Sequence, residues 1–253
     1  MTIHAIDPQK SIDAVSQAKI DLAAALRLAA FHKLEEGIDN HFTMTVPGQD
    51  DQFLVLPFGL HWSEARASDM IVFNEAGDTL EGEGLVEKSA QCIHAPIHRI
   101  TGAKVILHTH QTWAVALNML ADNRLIPSSQ TGAFLDGNII YDDYRGMVDS
   151  LEEGERLANA LGNKPVMFMK NHGVLVAADT VAKAYRMLYL LERVCKAQIL
   201  AMSTGKKLQV IPAEIVQQVQ TPDTEDRHHG QRHHLYFEAM KRVLDRELPG
   251  YAE

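Results

Sequence analysis

Cysteine is scarce: two residues, Cys92 and Cys195, in a chain of 253. They lack C-x-x-C spacing. A disulfide framework is not expected, and a reducing compartment, the cytoplasm, is. No apolar run approaches the roughly 20 residues that a membrane-spanning helix needs. Met1 to Lys10 holds no apolar core segment, so no signal peptide is expected. Positive charge is also short. Lys and Arg number 24 against 33 Asp and Glu, a formal net charge of -9, which argues against a general binder of nucleic acid or anionic membrane. Linkers rich in Pro, Gly or Ser, internal repeats and low-complexity tracts are missing. The expectation is one domain over residues 1–253, with a helical extension at 206–253. A hydrophobic fraction of 46% at this length is enough for a full core.

What the chain does have is histidine, 13 in all. Five fall in residues 91–110 and 170–173. Val105-Ile106-Leu107 reads as the end of a buried strand, followed by His108-Thr109-His110. Side chains alternate faces along a strand, so His108 and His110 point the same way and Thr109 points back. Two imidazoles side by side make half of a metal site. Equally, two histidines can cap a strand and bond loop carbonyls, so the spacing alone leaves both readings open.

In chain order, residues 11–36 read as a long helix with one apolar face, ended by Gly37. Strands 41–46 and 53–56 form a hairpin around Pro47-Gly48, and Met70–Phe73 is a third strand before a turn at 74–78. Ser89 is the expected N-cap of a helix over 90–100, in which Pro96 is awkward. A helix follows at 112–120. Residues 127–144 are mostly loop with a short strand at 138–141. Helix 151–161, strand 166–169, strand 174–176 and a long helix from Asp179 or Thr180 to about 204 come next. A polar helix over 225–247 carries His228, His229, His233 and His234, a pattern usual for solvated positions. Such a helix could also close over a neighbouring subunit's site.

The His-Thr-His stretch, with Lys170-Asn171-His172-Gly173-Val174-Leu175-Val176, resembles the class II aldolase/adducin family. Three further segments agree in order: Glu36-Gly37-Ile38-Asp39-Asn40-His41-Phe42-Thr43, Leu56-Pro57-Phe58-Gly59-Leu60 with Ala67-Ser68-Asp69-Met70, and Ile140–Gly146. The likeness covers about residues 15–205. It implies an α/β fold, a three-layer α/β/α sandwich around a mostly antiparallel sheet. It also implies a homo-oligomer, commonly a tetramer, with the active site at a subunit boundary. The matching metal ligands are His108, His110 and His172. Three imidazoles leave coordination positions open, the arrangement of a catalytic rather than a structural site. Zinc is the first expectation for the cofactor, with manganese or ferrous iron as alternatives.

The chain departs from the family's sugar-phosphate aldolases. Counting back from His94, their acid/base glutamate falls near Ala90, where no carboxylate stands. Glu87, three residues earlier, is the candidate substitute, as base or as fourth ligand, against a reading as a solvated loop residue. Tyr141 is the other catalytic candidate, against a reading as a loop anchor; Tyr144 lies in the same segment. Asn40, His41, Gly59 and His61 are candidate substrate-binding residues, from the loops that the family places beside its site. The phosphate cradle reads Leu56-Pro57-Phe58-Gly59-Leu60, bulky and apolar, which points away from a phosphorylated ketose. The expected function is a metal-dependent lyase on a small oxo or hydroxy substrate. It would act by retro-aldol cleavage or decarboxylation through an enolate. The alternatives are a non-heme iron oxygenase and a non-catalytic adducin-like interaction module.

Overall fold

A computed structural model describes residues 13–220 and 230–253. Its centre is one eight-stranded sheet. The strands are β1 (His41–Val46), β2 (Gln49–Val55), β3 (Ile71–Asn74), β4 (Thr79–Glu81), β5 (Val105–Thr109), β6 (Ile139–Asp142), β7 (Val166–Met169) and β8 (Gly173–Ala178). Their spatial order is β4-β3-β2-β1-β5-β8-β7-β6. Every pairing is antiparallel except β6 with β7.

The helices are α1 (Ala14–Phe31), α2 (Lys88–Thr101), α3 (Thr112–Asn118), α4 (Gln130–Leu135), α5 (Leu151–Leu161), α6 (Val181–Met202), α7 (Ala213–Val219) and α8 (Arg232–Glu247). Alternation along the strands sorts the apolar side chains into two layers. Val105, Leu107, Val174 and Val176 share one core with α1, α3, α6 and α8. Ile106, Met167 and Leu175 share another with α2 and α5. The expected α/β/α sandwich with a mostly antiparallel sheet is what forms.

Several boundaries differ from expectation, each for a local reason. The first helix ends at Phe31 rather than Gly37, because Lys33 takes a left-handed backbone (φ 58°) and turns the chain. The second begins earlier than Ser89 predicts: Glu87 is its N-cap, accepting from the Ala90 N–H at 2.9 Å. Pro96 stays inside this helix. It cannot donate to the Cys92 carbonyl one turn back. Gly154 of α5 packs directly on that carbonyl, where a Cβ would collide. The chain between 127 and 138 is not all loop; it holds α4, capped by Ser129. Strand β4 and helix α7 have no counterpart in the sequence reading.

The polar C-terminal helix is described from Arg232, so His228 and His229 lie outside the described residues. Its Phe237 and Leu244 enter the main core. The tail beyond it returns to α1. Arg27, buried in that helix, donates to the carbonyls of Ala65 at 2.6 Å, Glu64 at 3.1 Å, Leu248 at 3.3 Å and Pro249. Among the described residues, no helix is long and apolar enough to cross a membrane.

Candidate metal centre

Strand β5 delivers His108 to the face covered by α2 and α5, beside Ile106, and Thr109 to the opposite face. His110 follows at the strand end on the side of His108, and their Nε2 atoms lie 3.1 Å apart. His172 comes from the three-residue turn between β7 and β8, in which Asn171 is left-handed (φ 57°). Its ring stands 4.9 Å from that of His108 and 4.8 Å from that of His110, centroid to centroid. One nitrogen from each of the three lies within 4.8 Å of the others.

Two side chains set this turn. Asn118, at the end of α3, donates to the carbonyls of both Met169 (2.5 Å) and Gly173 (3.0 Å). Gly173 has no room for a side chain. A Cβ there would sit 2.5 Å from the Thr109 carbonyl oxygen and 2.8 Å from His110 Cδ2.

The outward nitrogens define the chemistry. His108 Nδ1 is 3.0 Å from the Val174 carbonyl, which has no proton to give, so the ring donates there and keeps its lone pair at Nε2. His110 Nδ1 donates to Glu36 Oε2 at 2.6 Å, which turns its Nε2 toward His108. The two Nε2 atoms face each other across 3.1 Å. Each ring is fixed through its other nitrogen, as metal-binding histidines are. Burial and the neighbouring imidazoles hold His108 well below the usual histidine range, and burial first, then His110, lowers His172 to about 4. Both rings are thus neutral and able to ligate at neutral pH. The donor set fits a divalent metal.

A cavity of about 340 Å³ opens over the three histidines. Glu87 and Ser89 line one side; Phe58, Ile93, Tyr144 and Met147 supply most of the apolar wall. Among the described residues lining it, none is a lysine or arginine, while Asp39 and Glu87 are acidic.

The other candidates are placed as follows. Glu87 shares the cavity with the three histidines. Tyr141 does not line it: its ring packs on Phe168 and its hydroxyl accepts from the Leu125 N–H at 3.0 Å, so it anchors a loop. Tyr144 is the tyrosine at the cavity. Asn40 organises the loop, its Oδ1 accepting from the Glu36 N–H at 2.8 Å. His41 is buried, with its ring 4.9 Å from that of His108. Gly59 (φ 106°) follows Phe58 and His61 bonds Ser63 and approaches Glu35; neither lines the cavity. Sequence reasoning missed Glu36 and Asn118. Asn118 carried no signal, and Glu36 only its place in the loop before Asn40.

Comparison with known proteins bears on this site. Residues 20–199 match the family of class II aldolase and adducin N-terminal domains. The crystal structure of an aldolase II superfamily protein from Pseudomonas syringae superposes with a TM-score of 0.87 at 32% identity, covering 98% of each chain. Decarboxylase NovR of Streptomyces niveus is 29% identical over 205 residues, 79% of this chain and 75% of that one. A protein of Streptomyces roseochromogenus subsp. oscitans, named 4-hydroxy-3-prenylphenylpyruvate oxygenase/4-hydroxy-3-prenylbenzoate synthase, is 28% identical over 205 residues, 79% of this chain and 73% of that one.

Proposed function

The chain belongs to the class II aldolase/adducin family, and from that premise we propose that it is a divalent-metal-dependent carbon–carbon lyase acting on a small, unphosphorylated oxo or hydroxy substrate. The observation that carries the reading is the convergence of three imidazoles, with the Nε2 atoms of His108 and His110 held 3.1 Å apart and His172 beside them. His108, His110 and His172 would hold the ion, zinc first and manganese or iron next. When bound, it supplies a Lewis acid that polarises a substrate carbonyl and draws off the charge that develops as a carbon–carbon bond breaks.

The chain's own residues do the rest. Val174 and Glu36 fix the imidazole orientations. The Glu87 carboxyl stands at the cavity wall within reach of a bound substrate, where it exchanges a proton with the reacting carbon or hydroxyl. Phe58, Ile93, Tyr144 and Met147 line the cavity with apolar surface and suit an apolar or aromatic substituent. The acidic lining, with no cationic side chain, opposes a phosphate dianion. Retro-aldol cleavage and decarboxylation both leave a carbanion beside a carbonyl, and one such site serves either. The name of the Streptomyces niveus relative favours decarboxylation.

Phe58, Tyr144 and Met147 are exposed around the cavity mouth, Met147 at 86%. An apolar rim of this kind supports closure of the site by a second copy, in a homo-oligomer and, by family, a tetramer. Two free, buried cysteines support a cytoplasmic setting. A second reading, a ferrous-iron oxygenase on the same ligands, is favoured by the oxygenase-named relative.

Elemental analysis of the purified protein beside His108→Ala decides among these. About one zinc or manganese per chain, lost in the variant, supports the lyase and directs assays to oxo acids and hydroxy ketones. Iron moves the assignment to the oxygenase. No metal in either protein after reconstitution removes both and leaves the adducin-like module.

A further inference from the structure

Helix α3 joins two of the metal ligands without supplying one. His110 stands two residues before its first residue, Thr112, and its last residue, Asn118, clamps the turn that carries His172. Asn118 does this through both side chain and backbone, its carbonyl accepting from the Asn171 N–H at 3.3 Å. Its Oδ1 accepts from Asn123 Nδ2 at 2.7 Å, which leaves the amide nitrogen directed at the turn. Seven residues make a helix about 10 Å long. Where α3 lies along its own axis therefore sets how far the His110 end stands from the His172 end.

A helix this short does not hold itself. Its first N–H groups have no partner within the helix, and its N-cap, Gln111, makes no side-chain cap bond. The Gln111 amide is turned elsewhere, accepting from Thr109 Oγ1 at 3.2 Å and donating to the Leu188 carbonyl at 3.4 Å. The cap comes instead from α6, 79 residues beyond Trp113. The Trp113 N–H donates to Glu192 Oε1 at 2.9 Å, and the Ala114 N–H donates to Glu192 Oε2 at 3.0 Å. A carboxyl group at this end also meets the positive pole of the peptide dipoles. Lys196, one turn further along α6, adds a contact, with its Nζ 5.4 Å from the centroid of the Trp113 ring. The support is rigid, because Leu188, Leu191 and Cys195 around Glu192 lie in the main core.

We propose that Glu192 is a positioning residue for the metal centre: by seating the first turn of α3 on α6, it fixes the separation of His110 from His172. Glu192 touches neither ligand. Glu36 holds the ring of His110, and the Glu192 cap holds the backbone that follows it. Without the cap the first turn unwinds, and His110 and Gln111 lose their fixed backbone. Asn118 meanwhile keeps the His172 turn in place, so one ligand moves against another. This role rests on the reading of the three histidines as metal ligands.

Glu192→Gln and Glu192→Ala provide the test, with cobalt(II) as the probe ion because its visible absorption reports ligand geometry. Glutamine keeps one acceptor and sets a donor against the other N–H, and alanine keeps neither acceptor. The expected result is cobalt affinity about tenfold lower in Glu192→Ala, a smaller loss in Glu192→Gln, and a cobalt spectrum altered in the same order. Gly102→Ala separates position from stability. It is strained at a left-handed residue (φ 73°) at the opposite end of α2 from Glu87, so it loses stability and keeps the wild-type spectrum. Unchanged affinity and spectrum in Glu192→Ala overturn the proposal. So does a spectrum that Gly102→Ala alters equally. Should the alanine variant fail to fold, the glutamine variant decides by the same criteria. Metal-free protein gives a second readout: the imidazole NMR signals of His110 and His172 are expected to move in the Glu192 variants, and unmoved signals overturn the proposal. If wild type binds no cobalt, the lyase reading falls, and these ring signals still decide whether Glu192 spaces the two histidines.

Discussion

Gly173→Ala isolates how the backbone shapes the metal centre. Gly173 does not use a left-handed φ, so alanine meets no conformational penalty there. The cost is steric. The added methyl lies 2.5 Å from the Thr109 carbonyl oxygen, 2.8 Å from His110 Cδ2 and 3.2 Å from His108 Cε1. A carbon–oxygen contact settles at about 3.3–3.6 Å, so β8 and β5 must part by roughly 1 Å at this end. Overpacking of this kind costs about 1–3 kcal/mol. Metal sites tolerate ligand errors of only about 0.2 Å, and the displaced residues are two of the three ligands. Zinc affinity is expected to fall at least about tenfold, the lower end of what disturbing a ligand's support does. Competition titration against a chromophoric chelator reads the affinity, and urea unfolding of the metal-free protein reads the stability.

Gly102→Ala is the control. It has φ +73° and nothing within 4 Å, so it costs about 1–2 kcal/mol of backbone strain and leaves zinc affinity unchanged. If Gly173→Ala binds zinc as tightly as wild type with undiminished stability, the argument that glycine is needed to seat the ligand strand is wrong.

Glu36→Gln is expected to weaken zinc binding about tenfold with little change in urea midpoint, because Glu36 is largely exposed but orients His110; an unchanged affinity would remove Glu36 from the site. Stability of the metal-free protein should fall with acid in a window set by the buried histidines. His41, His94 and His98 titrate below their unfolded value of about 6.5. The unfolded chain therefore takes up protons first, so their contribution is complete above pH 6.5 and declines as pH falls toward 3–4. These three alone give a slope of up to roughly 4 kcal/mol per pH unit, His108 and His172 add to it in the metal-free protein, and urea unfolding between pH 7 and 5, above the main carboxylate range, should show it; a flat profile there would refute neutral burial. Arg156→Met breaks the paired contacts of Arg156 with Asp142, both 2.7 Å, and with Glu153. The expected loss is about 1–3 kcal/mol, with zinc affinity retained; a shifted zinc titration would show that β6 and α5 influence the metal ligands.

Legibility in the sequence followed the range of the interaction. His108 and His110 were readable because a strand's period of two is local. His172 was readable only through a family motif, since its approach depends on the β5–β8 pairing. His94 and His98 at i, i+4 and His41 and Thr43 at i, i+2 each carry a local pattern. That the two pairs meet, with His94 bonded to both His41 and Thr43, follows from laying α2 across β1, which no single period announces. Glu87 was a candidate by elimination, and Tyr141 by its segment; the structure kept the first at the cavity and put the second on a loop's backbone.

Residue order by itself determined every strand but β4, most helices, the layered arrangement through the family pattern, and the three histidines. The strands, the helices and the pairing of His108 with His110 rest on periodicity and on backbone rules that act within a few residues; the layers and His172 rest on the family resemblance. Tertiary structure decided which nitrogens face outward, that Glu36 and Val174 hold them, that Gly173 must stay small, and that Glu192 caps α3. Each of these is a distance between residues far apart in the chain, and such distances exist only once the sheet has set its register.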